Sequence, residues 1–236
     1  MRAFLLAAGV GSRLRPITDS TPKCLVPVHG RPLLAYWLDC LLRDGAVDEV
    51  LINTHYLHEQ VEAFVAASPW RSKISLSYEE NLLGTAGSIK ANGAFHRHEA
   101  LLVAHADNLT ELDAPAFILA HRDRPADAAL TMLTFRTDMP KQSGILEVDD
   151  RGLVQGFFEK VENPPGDLAN AAVYILTPEV LQTIDEEEGP FIDLSTEIIP
   201  RFLGRIFATP AAGYHRGIET VEGLERAHRE FTPGGP

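Results

Sequence analysis

Residues 5–27 constrain this chain more than any other stretch. They read Leu-Leu-Ala-Ala-Gly-Val-Gly-Ser-Arg-Leu-Arg-Pro-Ile-Thr and, three residues on, Pro-Lys-Cys-Leu-Val-Pro. The short apolar run 3–7, followed by Gly9 and Gly11, predicts a buried strand feeding a loop. The two glycines let the backbone turn sharply and bring its N–H groups close to phosphate oxygens. Arg13 offers a planar fork for two oxygens, and Lys23 a mobile point charge. A GxG alone is common at strand–loop junctions. Its conjunction with Arg13, Pro16, Thr18 and Lys23 is specific.

Charge points the same way. Five of the 21 Lys/Arg (Arg2, Arg13, Arg15, Lys23, Arg31) but only one of the 33 Asp/Glu (Asp19) fall in the first 32 residues, although the whole chain carries a net charge of −12. A positive island in a negative chain suits a small anionic ligand, and the overall balance argues against nucleic acid as a partner. No apolar stretch approaches the roughly 20 residues of a membrane helix, so no membrane partner is expected. The apolar start runs into glycines and arginines too soon for a signal peptide. Cys24 and Cys40 are too few for a disulfide framework and read as reduced residues of a cytoplasmic protein. His55 and His58 have HxxH spacing but no third ligand nearby, and read as surface or helix-start residues.

The rest of the first half alternates. Leu34, Trp37, Leu38, Leu41 and Leu42 recur at helical spacing after Pro32, and Gly45 ends that helix. Strands are expected at 50–53, 74–78, 101–104 and 129–135, with helices at 57–67, 86–94 and 114–121. This βαβα order predicts an α/β fold with a mainly parallel twisted sheet and helices on both faces. Ligands of such sheets sit beyond the carboxyl ends of the strands. From about residue 138 the pattern changes to a β-rich part. A hairpin is expected over 144–158 around Asp149-Asp-Arg-Gly152, then a strand at 171–176 and a helix at 193–202. The acidic run 185–188 reads as a solvated loop or helix end. A last helix spans 220–231, and residues 232–236 read as a frayed tail. Without repeats or linkers, the chain is expected to form one domain over 1–231, divided near residue 137.

With these residues in hand, the chain resembles the sugar-1-phosphate nucleotidyltransferases, whose signature runs GxGxRLxPLT…PKxLxPV. Gly9, Gly11, Arg13, Leu14, Pro16, Thr18, Lys23 and Pro27 match it, and Cys24 stands where the family often has Pro. The resemblance covers nearly the whole chain. It implies a Rossmann-like fold with a nucleotide-binding half and a small β-rich sugar-binding part. It also implies transfer of a nucleotidyl group from an NTP to a sugar 1-phosphate, with Mg²⁺ and release of pyrophosphate. Leu6, Ala7, Ala8, Gly9, Gly11, Ser12 and Arg13 would then face the nucleotide. Leu83-Gly-Thr-Ala-Gly-Ser88 looks like the base-recognition turn, bringing Glu80, Gly84 and Thr85 to the base. Asp107, just past a buried strand, would hold Mg²⁺ beside the phosphates. Gly144, Glu159, Lys160 and Asn170 match the family's sugar-phosphate elements, with Val161 replacing a Pro and Ala172 a Gly.

The implied catalytic set is Arg13, Lys23 and Asp107. The nucleophile, a phosphate oxygen, is already anionic and needs no general base. One departure stands out: Gly217 occupies the position of the family's second metal-binding Asp, and Glu219 a glycine position. This keeps a second reading open, a degenerate relative that binds nucleotide or NDP-sugar as a sensor or partner subunit. An NAD-binding Rossmann enzyme is contradicted by Arg13, Pro16 and the long loop. The short form and the LGTAG turn look most like mannose-1-phosphate or heptose-1-phosphate guanylyltransferases, which favours GTP and leaves UTP or dTTP open. A homo-oligomer is compatible with the resemblance.

Overall fold

A computed structural model describes residues 1–233; the end of the expected tail, 234–236, lies outside them. Strand β1 (Arg2–Leu6) runs into the Gly-rich loop, which is shaped by three 3₁₀ turns at Ser12–Leu14, Ile17–Asp19 and Lys23–Leu25. A small hairpin, β2 (Pro27–Val28) and β3 (Arg31–Pro32), leads to α1 (Leu33–Leu42). There follow β4 (Glu49–Thr54), α2 (His58–Ala67), β5 (Ile74–Tyr78), α3 (Thr85–Ala91), α4 (Gly93–His96), β6 (Leu101–His105), β7 (Asn108–Thr110), α5 (Ala114–Arg122) and β8 (Leu130–Arg136). The second half comprises β9 (Gly144–Val148), β10 (Val154–Glu159), β11 (Leu168–Leu176), α6 (Pro178–Glu186), β12 (Ile206–Pro210), β13 (His215–Gly217) and α7 (Val221–Glu230).

The main sheet orders as β10-β9-β11-β6-β1-β4-β5, with β8 on β11 and β12 on β8. Its first-half core, β6-β1-β4-β5, is parallel, in the register Leu5↔Ile52 and Leu5↔Ala104. The alternating residues of β1 explain why both faces need helices. Ala3 and Leu5 pack with Trp37, Leu41, Val61, Val65 and Phe117 on one side. Phe4 and Leu6 pack with Ile89, Leu181, Ile184, Ile198 and Phe202 on the other. Chain order reverses at β1, with β4 on one side and β6 on the other. The carboxyl ends of β1 and β6 therefore flank a crevice of the kind in which open α/β sheets bind ligands.

At β11 the sheet turns antiparallel, through β6, β8 and β9. The expected hairpin is β9–β10. The segment 193–202 is a wide π turn at Leu194–Ile198 and a 3₁₀ turn at Ile199–Phe202, because Pro200 interrupts regular α-helical bonding. A third apolar cluster joins the loop after β1 to the last helix: Leu14, Val26 and Tyr36 pack against Ile218, Leu224 and Phe231. Strand β13 pairs with β7, bringing Gly217 opposite Asn108.

Candidate active site

The loop after β1 is held open by its own backbone. Gly11 has φ 69°, and a Cβ there would come within 3.0 Å of Thr18 Cγ2 and 3.1 Å of Lys23 Cβ. Its carbonyl accepts from Leu14 N (2.9 Å) and Thr18 Oγ1 (2.8 Å). Leu6 and Ala8 are buried, so they can offer a ligand only backbone groups. The Ala7 N–H donates to Asn53 Oδ1 at 2.6 Å, and Asn53 Nδ2 donates to Glu79 Oε1 (2.9 Å) and Ser88 Oγ (3.1 Å). Gly9 has open space where a Cβ would stand.

Lys23 and Asp107 meet as an ion pair, although 84 positions separate them. Asp107 follows β6, where Ala106 N donates to Leu6 O and Ile218 N donates to Asp107 O. Burial pushes the Asp107 carboxyl up, but the Lys23 ammonium, through its charge and its hydrogen bond, outweighs it, leaving the group below the usual carboxylate range. Arg13 pairs with Glu219 at 2.8 Å. The expected trio Arg13, Lys23 and Asp107 thus lies where loop, β6 and β13 converge.

Asp107 also lines a cleft of about 210 Å³ together with Gly144, Glu159, Lys160, Asn170 and Glu219. The four residues expected on the sugar side therefore share one wall with the acidic residue. Gly144 is closely approached by side chains: a Cβ there would lie 2.6 Å from Glu159 Oε2 and from the Phe157 ring, so both would have to shift to admit one. Glu159 Oε1 and Lys160 Nζ are 3.5 Å apart. Asn170 donates to Tyr174 OH at 2.6 Å and accepts from Ala172 N at 2.9 Å. Ala172 adopts φ 53° and Lys160 φ 51°, left-handed conformations that non-glycine residues seldom take.

In the turn over 83–88, expected to meet the base, Gly84 (φ 78°) packs against the Ile192 backbone, and Ala86 N and Gly87 N donate to Ile192 O. The Thr85 hydroxyl is engaged within the fold, donating to Asp193 Oδ2 and accepting from Leu194 N. Glu80 is exposed, whereas Glu79 is 5% exposed and its Oε2 has no partner among the described residues. Sequence reasoning also passed over His215, whose Nδ1 lies 2.8 Å from Thr110 Oγ1 and whose ring sits 4.2 Å from that of Phe135 at a tilt of 50°, both lining the cleft. Burial and then the Arg216 charge lower its pKa to about 3, so it is neutral. Apolar alternation through Ile74, Leu76 and Tyr78 puts Glu80 rather than Glu79 on its face, so the pattern along β5 does not single out Glu79. Nothing local marks His215.

Parallel core, glycine loop, cation–carboxylate pairs and adjoining cleft together define an α/β protein with a candidate ligand site beyond the carboxyl ends of its strands. The chain belongs to the nucleotidyl transferase family, whose profile matches residues 2–207. It is 30% identical over 98% of its length to a mannose-1-phosphate guanylyltransferase of Mycobacterium tuberculosis, covering 65% of that protein. It is also 30% identical over 86% of its length to a UTP–glucose-1-phosphate uridylyltransferase of Synechocystis, covering 55% of it. The chain thus spans a little over half to about two thirds of these relatives. Its fold matches HddC from Yersinia pseudotuberculosis complexed with GMP-PN (TM-score 0.79, 24% identity, 98% of this chain and 99% of that one). It also matches a Bacillus anthracis protein in complex with a sucrose (TM-score 0.84, 21% identity, 100% and 98%).

Among the described residues, no group of three or more His, Cys, Asp or Glu could hold a metal ion by itself. Asp107 fits a hard cation that takes most of its oxygens from phosphates and water, the usual habit of Mg²⁺. No helix is long and apolar enough to cross a membrane.

Proposed function

We propose that this chain transfers a nucleotidyl group from an NTP to a sugar 1-phosphate, with GTP the preferred donor. The observation that carries the reading is the Lys23–Asp107 pair, which joins the loop after β1 to the cleft lined by Glu159 and Lys160. In the reaction, a phosphate oxygen of the sugar 1-phosphate attacks the α-phosphorus. The bond from that phosphorus to the bridging oxygen breaks, and pyrophosphate leaves with the electron pair. Both reactants are anions, so the protein's task is to hold them together and to offset charge on the α-phosphate and leaving group. Arg13 serves the pyrophosphate side, Lys23 the region between the substrates, and Lys160 the sugar phosphate. Mg²⁺, held by Asp107 and phosphate oxygens, would supply further charge neutralisation there.

Glu79 supports the choice of GTP. One carboxylate oxygen accepts from Asn53, and the other is buried without a partner among the described residues. Were a base to seat against the turn over 83–88, that carboxylate would favour an edge with adjacent N–H donors, which guanine has and uracil or thymine lacks. The free cysteines Cys24 and Cys40 suit the reducing cytoplasm, where nucleotide pools are held.

The test is pyrophosphate release from a panel of NTPs and sugar 1-phosphates with Mg²⁺. Turnover that is highest with GTP is expected. Gly217 favours a second reading, a nucleotide-binding relative without turnover; clear binding with no pyrophosphate from any pair would establish it.

A further inference from the structure

Two cations of the loop after β1 have carboxylate partners from distant parts of the chain: Arg13 has Glu219, and Lys23 has Asp107, whereas Arg15 pairs locally with Asp19. The two pairs differ in burial. The Arg13 and Glu219 side chains are 59% and 38% exposed, against 9% and 26% for Lys23 and Asp107. An exposed pair is weak and exchanges readily with solvent ions or ligands, whereas a largely buried one holds.

Glu219 is well placed for an exchange. It sits between β13 and α7, whose start is capped by Thr220 Oγ1 accepting from Gly223 N. That helix is anchored on the loop through Leu224 and Phe231, which pack with Leu14, the neighbour of Arg13. The Glu219 side chain folds back over Gly217, its Cγ only 3.7 Å from where a Cβ at 217 would be. It therefore lines the same cleft as Asp107. A triphosphate added to this balanced quartet brings an excess of negative charge that a divalent cation offsets.

We propose that Glu219 changes partner during binding. It neutralises Arg13 until a triphosphate takes that guanidinium, and its freed carboxylate then joins Asp107 in holding a divalent cation against the phosphates. Cation binding thereby becomes conditional on nucleotide, and by reciprocity nucleotide binding is strengthened by the cation. This rests on the nucleotide reading above.

The test compares wild type with Glu219→Gln, measuring affinity for α,β-methylene analogues of GTP and UTP in EDTA and in saturating Mg²⁺. For the wild type, Mg²⁺ should tighten binding by about tenfold or more. Glu219→Gln should bind about two- to fivefold more tightly in EDTA, because Arg13 is already free, and should lose most of the Mg²⁺ gain. A variant with wild-type affinity in EDTA and a wild-type Mg²⁺ ratio would overturn the proposal while leaving the nucleotide reading intact. A wild type that binds neither analogue under either condition would overturn both.

Discussion

Gly84 is the position where one added carbon should do the most damage. Its φ of 78° and ψ of 166° lie in a region essentially restricted to glycine. A Cβ there would stand 2.4 Å from Ile192 O, 2.8 Å from its C and 2.9 Å from its N. These are backbone atoms, so no side chain can swing aside. Ile192 must retreat, and with it go the bonds from Ala86 N (3.0 Å) and Gly87 N (3.1 Å) to Ile192 O and from Ile192 N to Leu83 O (2.9 Å). Backbone strain contributes about 2 kcal/mol to the loss. The weakened hydrogen bonds contribute about 2 kcal/mol more. For a chain of this length, about 4 kcal/mol lowers Tm by about 8–16 °C. Gly45→Ala isolates the strain, since Gly45 also has positive φ (69°) but nothing within 4 Å of the added carbon; it should lose only about 1–2 kcal/mol. Calorimetry and urea denaturation of both variants provide the measurement. If Gly84→Ala melts no lower than Gly45→Ala, the close approach of Ile192 is not what demands glycine here, and the reasoning fails.

Lys23→Ala should retain the fold by circular dichroism and lose about 100-fold or more in pyrophosphate release; unchanged turnover would remove Lys23 from the mechanism. Glu79→Gln should erode preference for GTP over UTP by about tenfold, read as the ratio of kcat/KM values, because a neutral amide donates where a carboxylate only accepts. His121, 5% exposed and with Nδ1 2.8 Å from Thr131 Oγ1, has its pKa lowered to about 4 by burial and then by the Arg124 charge. Its neutral form belongs to the folded state, so its contribution is whole above the ordinary His range. As pH falls toward 4 the unfolded chain takes the proton first, and stability declines by up to about 3 kcal/mol. Denaturation midpoints of His121→Gln should therefore fall less between pH 7 and 4.5 than those of wild type; parallel curves would contradict this.

Much of the parallel half was legible because its signals are local. Strand β5 matches its expected span of 74–78, and β4 and β6 differ only at their ends. Their apolar runs bounded by turn residues carry the information within a few positions. Helix α6 is written locally too, in Thr177, then Pro178 at its first turn, then Val180, Leu181 and Ile184, and the acidic run begins within its last turn. Strands β7 and β13 are three residues each, too short for any period, and exist only because they pair with one another. Glu79 and Glu80 are neighbours, and a strand points successive side chains to opposite faces. Only the pairing of β5 with β4 decided that Glu79 goes inward.

The sequence by itself determined the chemistry of the loop: glycines where the backbone must turn, and an arginine and a lysine at set offsets beside them. Those properties follow from residue type and short spacing. Which carboxylate answers each cation was decided by the tertiary structure alone. Lys23 meets Asp107 because β6 lies beside β1 in the sheet. Arg13 meets Glu219 because α7 packs its Leu224 and Phe231 against Leu14 at the far end of the chain. Charge attraction falls off over a few ångströms in water and salt, so it is effective only between groups that the packing of the core has already brought together.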